Sequence, residues 1–386
     1  MEKGISKYIT AAVFIAVLAG FFILNLVIDT PAILESERRP PASFPKLTAK
    51  SFADDSFMKG FDEWAQDGFT FRENLRTLRA IMVFHVFQQT DKEGLYIGDT
   101  GIGQFRKIDE QAWRQTIGKV NRMAERLQDG SREFNMYIAV IPDKSLYAGR
   151  FLPGYDAGTA RRLIEEELSP AITAIDLHDS LSAGDFYRTD LHWSQPMTGD
   201  VMDELGSAMG FESILKADST GNSVNIAGEF RGAYAGQIAL PIEPDAIEYV
   251  INEYIESAGT SYLDPKTQAF QPGEMYYHEA LTRGGDPYDF FLNGPQPLIV
   301  LESHQGESAV SDDGRPVGRT LYLFRDSFGS SLGPLFLGAY DRVVLIDLRY
   351  IDSRILPEFV DFEPGSDVLF LYSSQIFGSP GTMLVS

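Results

Sequence analysis

The chain has 386 residues, a formal net charge of −22 at neutral pH and no cysteine. This length supplies one large hydrophobic core or two modest ones, and the aliphatic and aromatic content excludes wholesale disorder. The acidic balance excludes nucleic acid as the main ligand, because polyanion binding runs on lysine and arginine. The absence of cysteine excludes disulfides, thiolate nucleophiles and cysteine zinc sites.

Ile9 to Ile28 is an uncharged apolar run, and about 20 helical residues rise ~30 Å, the thickness of a bilayer core. Lys3 and Lys7 precede it, partly offset by Glu2, while Asp29 and Pro31 close it. The positive-inside rule leaves the N-terminus in the cytoplasm and the rest of the chain outside. No A-x-A pattern follows, so residues 1–30 are expected to be a cytoplasmic stub and retained signal-anchor rather than a cleaved signal peptide. Residues 31–50 are rich in proline and charge and read as an extended linker. Residues 51–110 read as a helical and hairpin segment packing on the main domain. Phe57, Phe61 and Trp64 have helical spacing, Asp67-Gly68 interrupts, and the helical pattern resumes from Phe71 to Phe87. Arg72 is expected to pair with nearby acids. The glycines of Gly94–Gly101 lack a P-loop lysine and read as a hairpin turn.

From residue 111 onward the pattern is α/β. A helix is expected over Glu110–Gln128, a buried strand over Phe134–Ile141, a helix over Arg161–Leu168 and a short strand over Ala171–Leu177. This alternation predicts a largely parallel sheet. Pro196 to Met209 traces another helix, with proline near its first turn. Residues 212–315 read as an insertion of short strands and loops. The α/β pattern then returns with strands at Arg319–Phe324, Val343–Ile346 and Asp367–Tyr372. Ligands gather beyond the carboxyl ends of parallel strands, and Lys144, Ser327, Asp347 and Gln375 all follow such ends.

Two stretches carry the chemistry. Tyr187-Arg188-Thr189-Asp190-Leu191-His192-Trp193 offers an acid and a histidine one spacer apart, on a connection entering a helix. Arg325-Asp326-Ser327-Phe328-Gly329 ends an apolar strand in a serine followed by small residues. Ser327, His192 and Asp190 are the groups of a nucleophilic triad: attacker, proton acceptor and orienter. The spacing also admits blander roles, with His192 a core histidine, Asp190 a helix cap and Ser327 one more strand-end serine. Asp190 and His192 could also serve as metal ligands, but His85, His178, His278 and His304 are scattered, and no metal or other cofactor is expected.

Several stretches in order resemble the DHHW protein family, related to the alginate acetylation proteins of the SGNH hydrolase-like group. They are Phe61–Arg72, Pro142-Asp143-Lys144, Tyr187–Trp193, Gly228–Gly232, Gly285–Tyr288, Asp326–Phe328 and Ile346–Tyr350. One departure stands out: the first histidine of the family's name-giving motif is Leu191 here, while the acid and the second histidine remain. The resemblance implies an SGNH hydrolase-like α/β/α sandwich over residues 111–386, in which the histidine element precedes the serine element. It also implies acyl chemistry on extracytoplasmic polysaccharide. Tyr187, Trp193, Tyr234 and Tyr288 are then candidates for stacking on sugar rings, and Arg325, Lys144 and Gln375 for polar substrate contacts. The resulting expectation is a membrane-anchored O-acetyltransferase or acetylesterase of a cell-surface polysaccharide. An integral-membrane acyltransferase would supply acetyl. The rival expectation is a glycan-binding or envelope-assembly protein with a dormant triad.

Overall fold

The computed structural model describes residues 2–34, 36–128, 133–148, 155–215, 221–303 and 319–385. Glu35 of the expected linker and His304 lie outside them. The chain forms two compact units, one reaching Lys92 and including Ala235–Ile242, the other comprising Glu93–Tyr234 and Glu243–Ser386.

The first unit begins with a helix at Glu2–Val27. Its stretch Tyr8–Asn25 is long and apolar enough to cross a membrane and none of it is buried in the protein, although a signal sequence meets the same criterion. Asn25 Oδ1 accepts the Thr70 N–H at 2.6 Å, tying the helix end to the loop between helices Ser56–Asp67 and Arg72–Ile81. The proline-rich segment after the apolar helix departs from the extended linker expected of it. Leu34 is buried, Arg39 holds Asp67 through two hydrogen bonds of 2.6 and 2.9 Å, and the Ala42 N–H donates to the same carboxylate at 2.8 Å. Phe44 packs edge-on against Phe57, Phe61 and Trp64. Proline composition signals the absence of regular structure, and here the irregular backbone is held by one buried acid. Arg72 pairs with Glu37 and Glu73.

The second unit is built on eight strands. They are β1 (Asn135–Ile141), β2 (Ile172–Ile175), β3 (Gly259–Asp264), β4 (Ala269–Pro272), β5 (Leu298–Glu302), β6 (Thr320–Arg325), β7 (Arg342–Ile346) and β8 (Asp367–Ser373). Their order is β2-β1-β8-β6-β7-β5-β3-β4. The run from β2 to β7 is parallel, while β5, β3 and β4 extend it by antiparallel pairing. The sheet is thus mixed, with four parallel and three antiparallel pairings where a mostly parallel sheet is expected. The cause lies in residues 212–315, expected as an insertion of short strands and loops, which supply three strands of the sheet. Gly259–Asp264 and Ala269–Pro272 mix polar with apolar residues and carry little of the continuous apolar signal by which buried parallel strands are recognised, whereas residues 298–301 are a short buried apolar run.

Side-chain alternation explains the layers. Tyr322, Phe324, Val344, Ile346, Val368 and Phe370 point into a core shared with Trp113, Ile117, Val120 and Leu163, from helices Glu110–Leu127 and Ala157–Glu167. Leu321, Leu323, Val343, Leu345, Leu369 and Leu371 point the other way. Val201, Met202 and Leu205 of helix Gly199–Met209 meet them there, with the short helices after β6. The result is an α/β/α arrangement with a core on each face. A two-stranded ribbon, Ser223–Phe230 with Asp245–Ile251, adds a third cluster containing Tyr187, Phe230, Tyr249, Tyr288 and Phe290.

Candidate active site

Ser327 follows β6 and precedes the short helix Phe328–Leu332. Asp326 shapes this turn, with Oδ1 accepting the Phe328 N–H at 3.0 Å and Oδ2 the Ser373 N–H, at the end of neighbouring β8, at 2.8 Å. One carboxylate therefore ties two adjacent strand ends together at the place where a parallel sheet gathers its ligands. Gly329 lets the chain fold back, because a Cβ there would lie 2.6 Å from Arg325 Cβ.

His192 sits on a closed turn. Phe186 bridges to Trp193 and the Tyr187 N–H donates to the His192 carbonyl at 3.0 Å. Asp190 Oδ1 accepts the backbone N–H of His192 at 3.1 Å and lies 2.6 Å from its Nδ1. Oδ2 of the same acid accepts the Ala233 N–H at 2.6 Å. On the far side of the imidazole, Nε2 lies 2.8 Å from Ser327 Oγ. An ionised carboxylate can only accept, so Nδ1 carries the proton and Nε2 is left to accept from the serine hydroxyl. Asp190 is fully buried and His192 nearly so, a setting in which electrostatic interactions are strong. The structure thus brings Asp190, His192 and Ser327 into one hydrogen-bonded line.

The acid loop is held from three sides. Lys144 Nζ donates to the carbonyls of Tyr187 at 2.5 Å and Asp190 at 3.2 Å, with that of Arg188 at 3.5 Å. Burial pushes the Lys144 amine down to about 8, against the opposing pull of Asp190, Asp245 and Asp143. The Asp245 carboxylate accepts the N–H groups of Arg188 and Thr189 at 3.0 and 2.8 Å and the Thr189 hydroxyl at 2.6 Å. Thr189 Oγ accepts in turn from the Gly232 N–H at 2.9 Å. Gly232 comes so near that a Cβ would sit 2.2 Å from the Thr189 carbonyl oxygen and 2.4 Å from Asp190 Cβ.

A second hub joins the histidine and serine elements. Ser331 Oγ accepts from Trp193 Nε1 and from the Tyr288 hydroxyl, both at 2.9 Å. Gln195 Nε2 donates to the Ser331 carbonyl at 2.6 Å, and Gln195 Oε1 accepts the Val250 N–H at 2.8 Å.

Several expected substrate contacts lie elsewhere. Tyr187, Trp193, Tyr234 and Tyr288 are all buried and offer no exposed ring face for a sugar. Trp193 and Tyr288 serve the Ser331 hub instead, and Tyr187 packs on Phe230 and Tyr288. Lys144 meets backbone carbonyls in place of substrate. Arg325, 1 % exposed, lies 3.4 Å from Asp347 and donates to Ser330 Oγ at 3.0 Å. Burial lowers its pKa. Asp347 is shared with Arg349, which binds it in a fork at 2.8 and 2.6 Å. Sequence position and spacing carry no information on which of these side chains are buried. Gln375 is partly exposed and lies in a cleft with Arg106, Asp109 and Tyr155. Its Nε2 is 3.5 Å from the Tyr234 hydroxyl. Among the described residues no group of three or more histidines and acids is placed to hold a metal ion.

Asp326, Ser331 and Asp245 escaped sequence reasoning as supporting groups. Ser331 had a usable signal, since it stands one helical turn beyond Ser327. Asp245 had none, because its partner loop is distant in sequence.

No family model matches the chain, and no curated protein matches it. Solved structures do. A DHHW family protein from Eubacterium siraeum DSM 15702 is 18 % identical, with a TM-score of 0.55 over 77 % of this chain and 97 % of that one. PatB1 from Bacillus cereus is 16 % identical, with a TM-score of 0.55 over 74 % of this chain and 97 % of its own. A further structure of PatB1, with a sulfonyl adduct, gives the same identity of 16 % and TM-score of 0.55 over 74 % and 96 %. The likeness is one of fold and spans almost the whole of each relative: this chain has the architecture of a DHHW family protein and of PatB1.

Proposed function

We propose that this protein is a membrane-anchored, extracytoplasmic O-acetyltransferase or acetylesterase acting on a cell-surface polysaccharide through an acyl-serine intermediate. The observation that carries the reading is the continuous line from Asp190 Oδ1 through His192 to Ser327 Oγ, with contacts of 2.6 and 2.8 Å. Ser327 Oγ attacks the carbonyl carbon of an acetyl ester as His192 Nε2 takes its proton. The tetrahedral intermediate collapses when the imidazolium returns that proton to the departing oxygen and the ester C–O bond breaks. A sugar hydroxyl or water then gives its proton to Nε2 and attacks the acyl-serine, restoring the free hydroxyl. The Ser327 N–H, at a helix start, is the proposed donor to the oxyanion. Gln375 remains the proposed polar contact to substrate. With the anchor helix placing the catalytic unit outside, acetyl would come from an integral-membrane acyltransferase.

The test is Ser327→Ala in the full chain, in detergent, with a chromogenic acetyl ester and a sulfonyl fluoride probe. Wild type should release acetate and take the probe on Ser327, and the variant should do neither. Undiminished turnover by folded Ser327→Ala would overturn the reading. Absence of both reactions in folded wild type would favour a glycan-binding protein with a dormant triad.

A further inference from the structure

Helix Arg72–Ile81, continued by the π-helical turn Met82–Val86, is inside out. Arg72, Arg76 and Ala80 share one face, and that face is turned to the protein. Arg72 pairs with Glu37 and Glu73, Arg76 donates to the Gly236 carbonyl at 2.8 Å, and Ala80 is fully buried. The opposite face carries Phe71, Leu75, Leu78, Met82 and Val86, each between 36 and 57 % exposed. Their spacing of 4, 3, 4 and 4 residues follows the helical repeat, so they form one apolar stripe on the outside. A globular helix ordinarily turns such a stripe inward, and an exposed one marks an interaction surface.

The N-terminal end of the stripe indicates what covers it. Phe69 stacks on Phe21, with centroids 5.5 Å apart and planes within 20°. The Thr70 N–H donates to Asn25 Oδ1 at 2.6 Å, and Asn25 Nδ2 donates to the Phe21 carbonyl at 2.9 Å. Phe21 and Asn25 both belong to Tyr8–Asn25, the stretch long and apolar enough to cross a membrane. Phe21 lies one helical turn, about 6 Å, inside the end of that stretch. A bilayer surrounding the anchor therefore reaches Phe69 and the start of the stripe. Helices that lie flat in a membrane interface rest at about that depth, ~5–10 Å below the surface. The amide groups at this junction bond to one another, as an apolar setting requires.

We propose that the stripe from Phe71 to Val86 lies along the outer leaflet of the membrane, so that the first unit is held both by its anchor and by a second, flat-lying helix. The proposal rests on the membrane-anchored reading given above. Lipid is the occupant, rather than a second copy of the chain, because Phe69 makes the stripe continuous with the lipid-facing surface of the anchor itself. Docked in this way, the first unit cannot pivot freely about the end of its anchor.

The test uses the full chain in lipid nanodiscs, one copy per disc. The chain has no cysteine, so single-cysteine variants each take one nitroxide label. Leu78→Cys and Val86→Cys report on the stripe. Ile15→Cys, exposed within the apolar stretch, reports on the anchor, and Glu125→Cys, exposed on helix Glu110–Leu127, is the reference for water. Label relaxation is measured with dissolved oxygen, which concentrates in hydrocarbon, and with a polar nickel chelate, which is excluded from it. The ratio of oxygen to nickel collisions at residues 78 and 86 should exceed that at Glu125→Cys on the order of tenfold. A water-like ratio at either stripe position, with Ile15→Cys in lipid, would overturn the proposal and leave the anchor standing. A water-like ratio at Ile15→Cys would overturn the anchored reading and the proposal with it. Labels at 78 and 86 shielded from both reagents would overturn the proposal by showing the stripe covered by protein rather than lipid.

Discussion

The ring of Tyr288 lies flat on the imidazole of His192, with centroids 3.8 Å apart and planes within 9°. Its hydroxyl is anchored to Ser331 Oγ, four residues beyond Ser327. The histidine is therefore braced edge-on by Asp190 and face-on by a ring fastened to the serine helix. A π face also favours an imidazolium, the form His192 takes in the proposed mechanism.

Tyr288→Phe and Tyr288→Leu separate these two contributions. Phenylalanine keeps the stack and loses only the bond to Ser331, so kcat should fall by about three- to fivefold, the worth of one ordinary hydrogen bond. Leucine loses the stack as well and should cost roughly tenfold or more, since aromatic and cation–π contacts in buried sites contribute ~1–2 kcal/mol. Steady-state hydrolysis of an acetyl ester, with circular dichroism to establish folding, gives the comparison. Equal rates in all three proteins would remove Tyr288 from the orientation of His192.

Asp190→Asn keeps the shape of the acid while reversing its hydrogen bonding. An amide N–H facing Nδ1 selects the tautomer protonated on Nε2, which cannot accept the Ser327 proton. The expected loss in kcat is on the order of 10²–10⁴, as for other triads in which the acid orients rather than reacts. KM should move little, while the melting temperature should fall, because the amide nitrogen also faces the His192 N–H that Asp190 Oδ1 accepts. A rate within threefold of wild type would exclude Asp190 as the orienting group.

The apolar helix, the central strands and the two chemistry-bearing loops were legible because each rests on a local pattern: length without charge, a buried run ending in a turn, an acid one spacer from a histidine. The mixed sheet was not, since β3 and β4 pair through registers that no single segment encodes. Nor was the role of Lys144, Trp193 and Tyr288. Their positions beside the site were foreseeable, but whether a side chain faces substrate or the protein's own carbonyls is decided by tertiary packing. The 31–45 segment illustrates the same limit, because Arg39 is held by Asp67, one buried acid 28 residues further on.

Gly232→Ala tests how closely the acid loop is fixed. In open positions alanine for glycine stabilises by ~0.4–1 kcal/mol through the unfolded state. Gly199, in a helix where an added Cβ would meet nothing within 4 Å, should behave so. At Gly232 the added carbon meets backbone, 2.2 Å from the Thr189 carbonyl oxygen, and neither atom can rotate away. Overpacking of this kind costs ~1–3 kcal/mol, which outweighs the entropic gain. Gly232→Ala should melt lower than wild type, Gly199→Ala at or above it, and only the former should lose most of its esterase rate. Urea unfolding of both variants, read beside their turnover, checks the sign at each site.

Lys144 sets stability and activity against each other with pH. Burial pushes its amine down to about 8, below the ~10.4 of a free lysine. Between those values the unfolded chain binds more protons on this group than the folded chain does, so wild type gains stability as pH rises. Lys144→Met lacks the group and escapes the effect. The melting-temperature gap between the two should therefore shift in favour of wild type from pH 7 to pH 10. Activity should go the other way. The protonated amine has three N–H groups for the carbonyls of Tyr187, Arg188 and Asp190, and the neutral amine has two, so the loop carrying Asp190 loses one restraint above about pH 8. Wild-type kcat should decline through that range in a limb that Lys144→Met does not show, and at pH 7 the variant should be slower by about tenfold, the equivalent of ~1.4 kcal/mol. Thermal melts and pH–rate profiles of the two proteins measure both trends. A constant gap together with superimposable profiles would show that Lys144 neither titrates in this range nor restrains the acid loop.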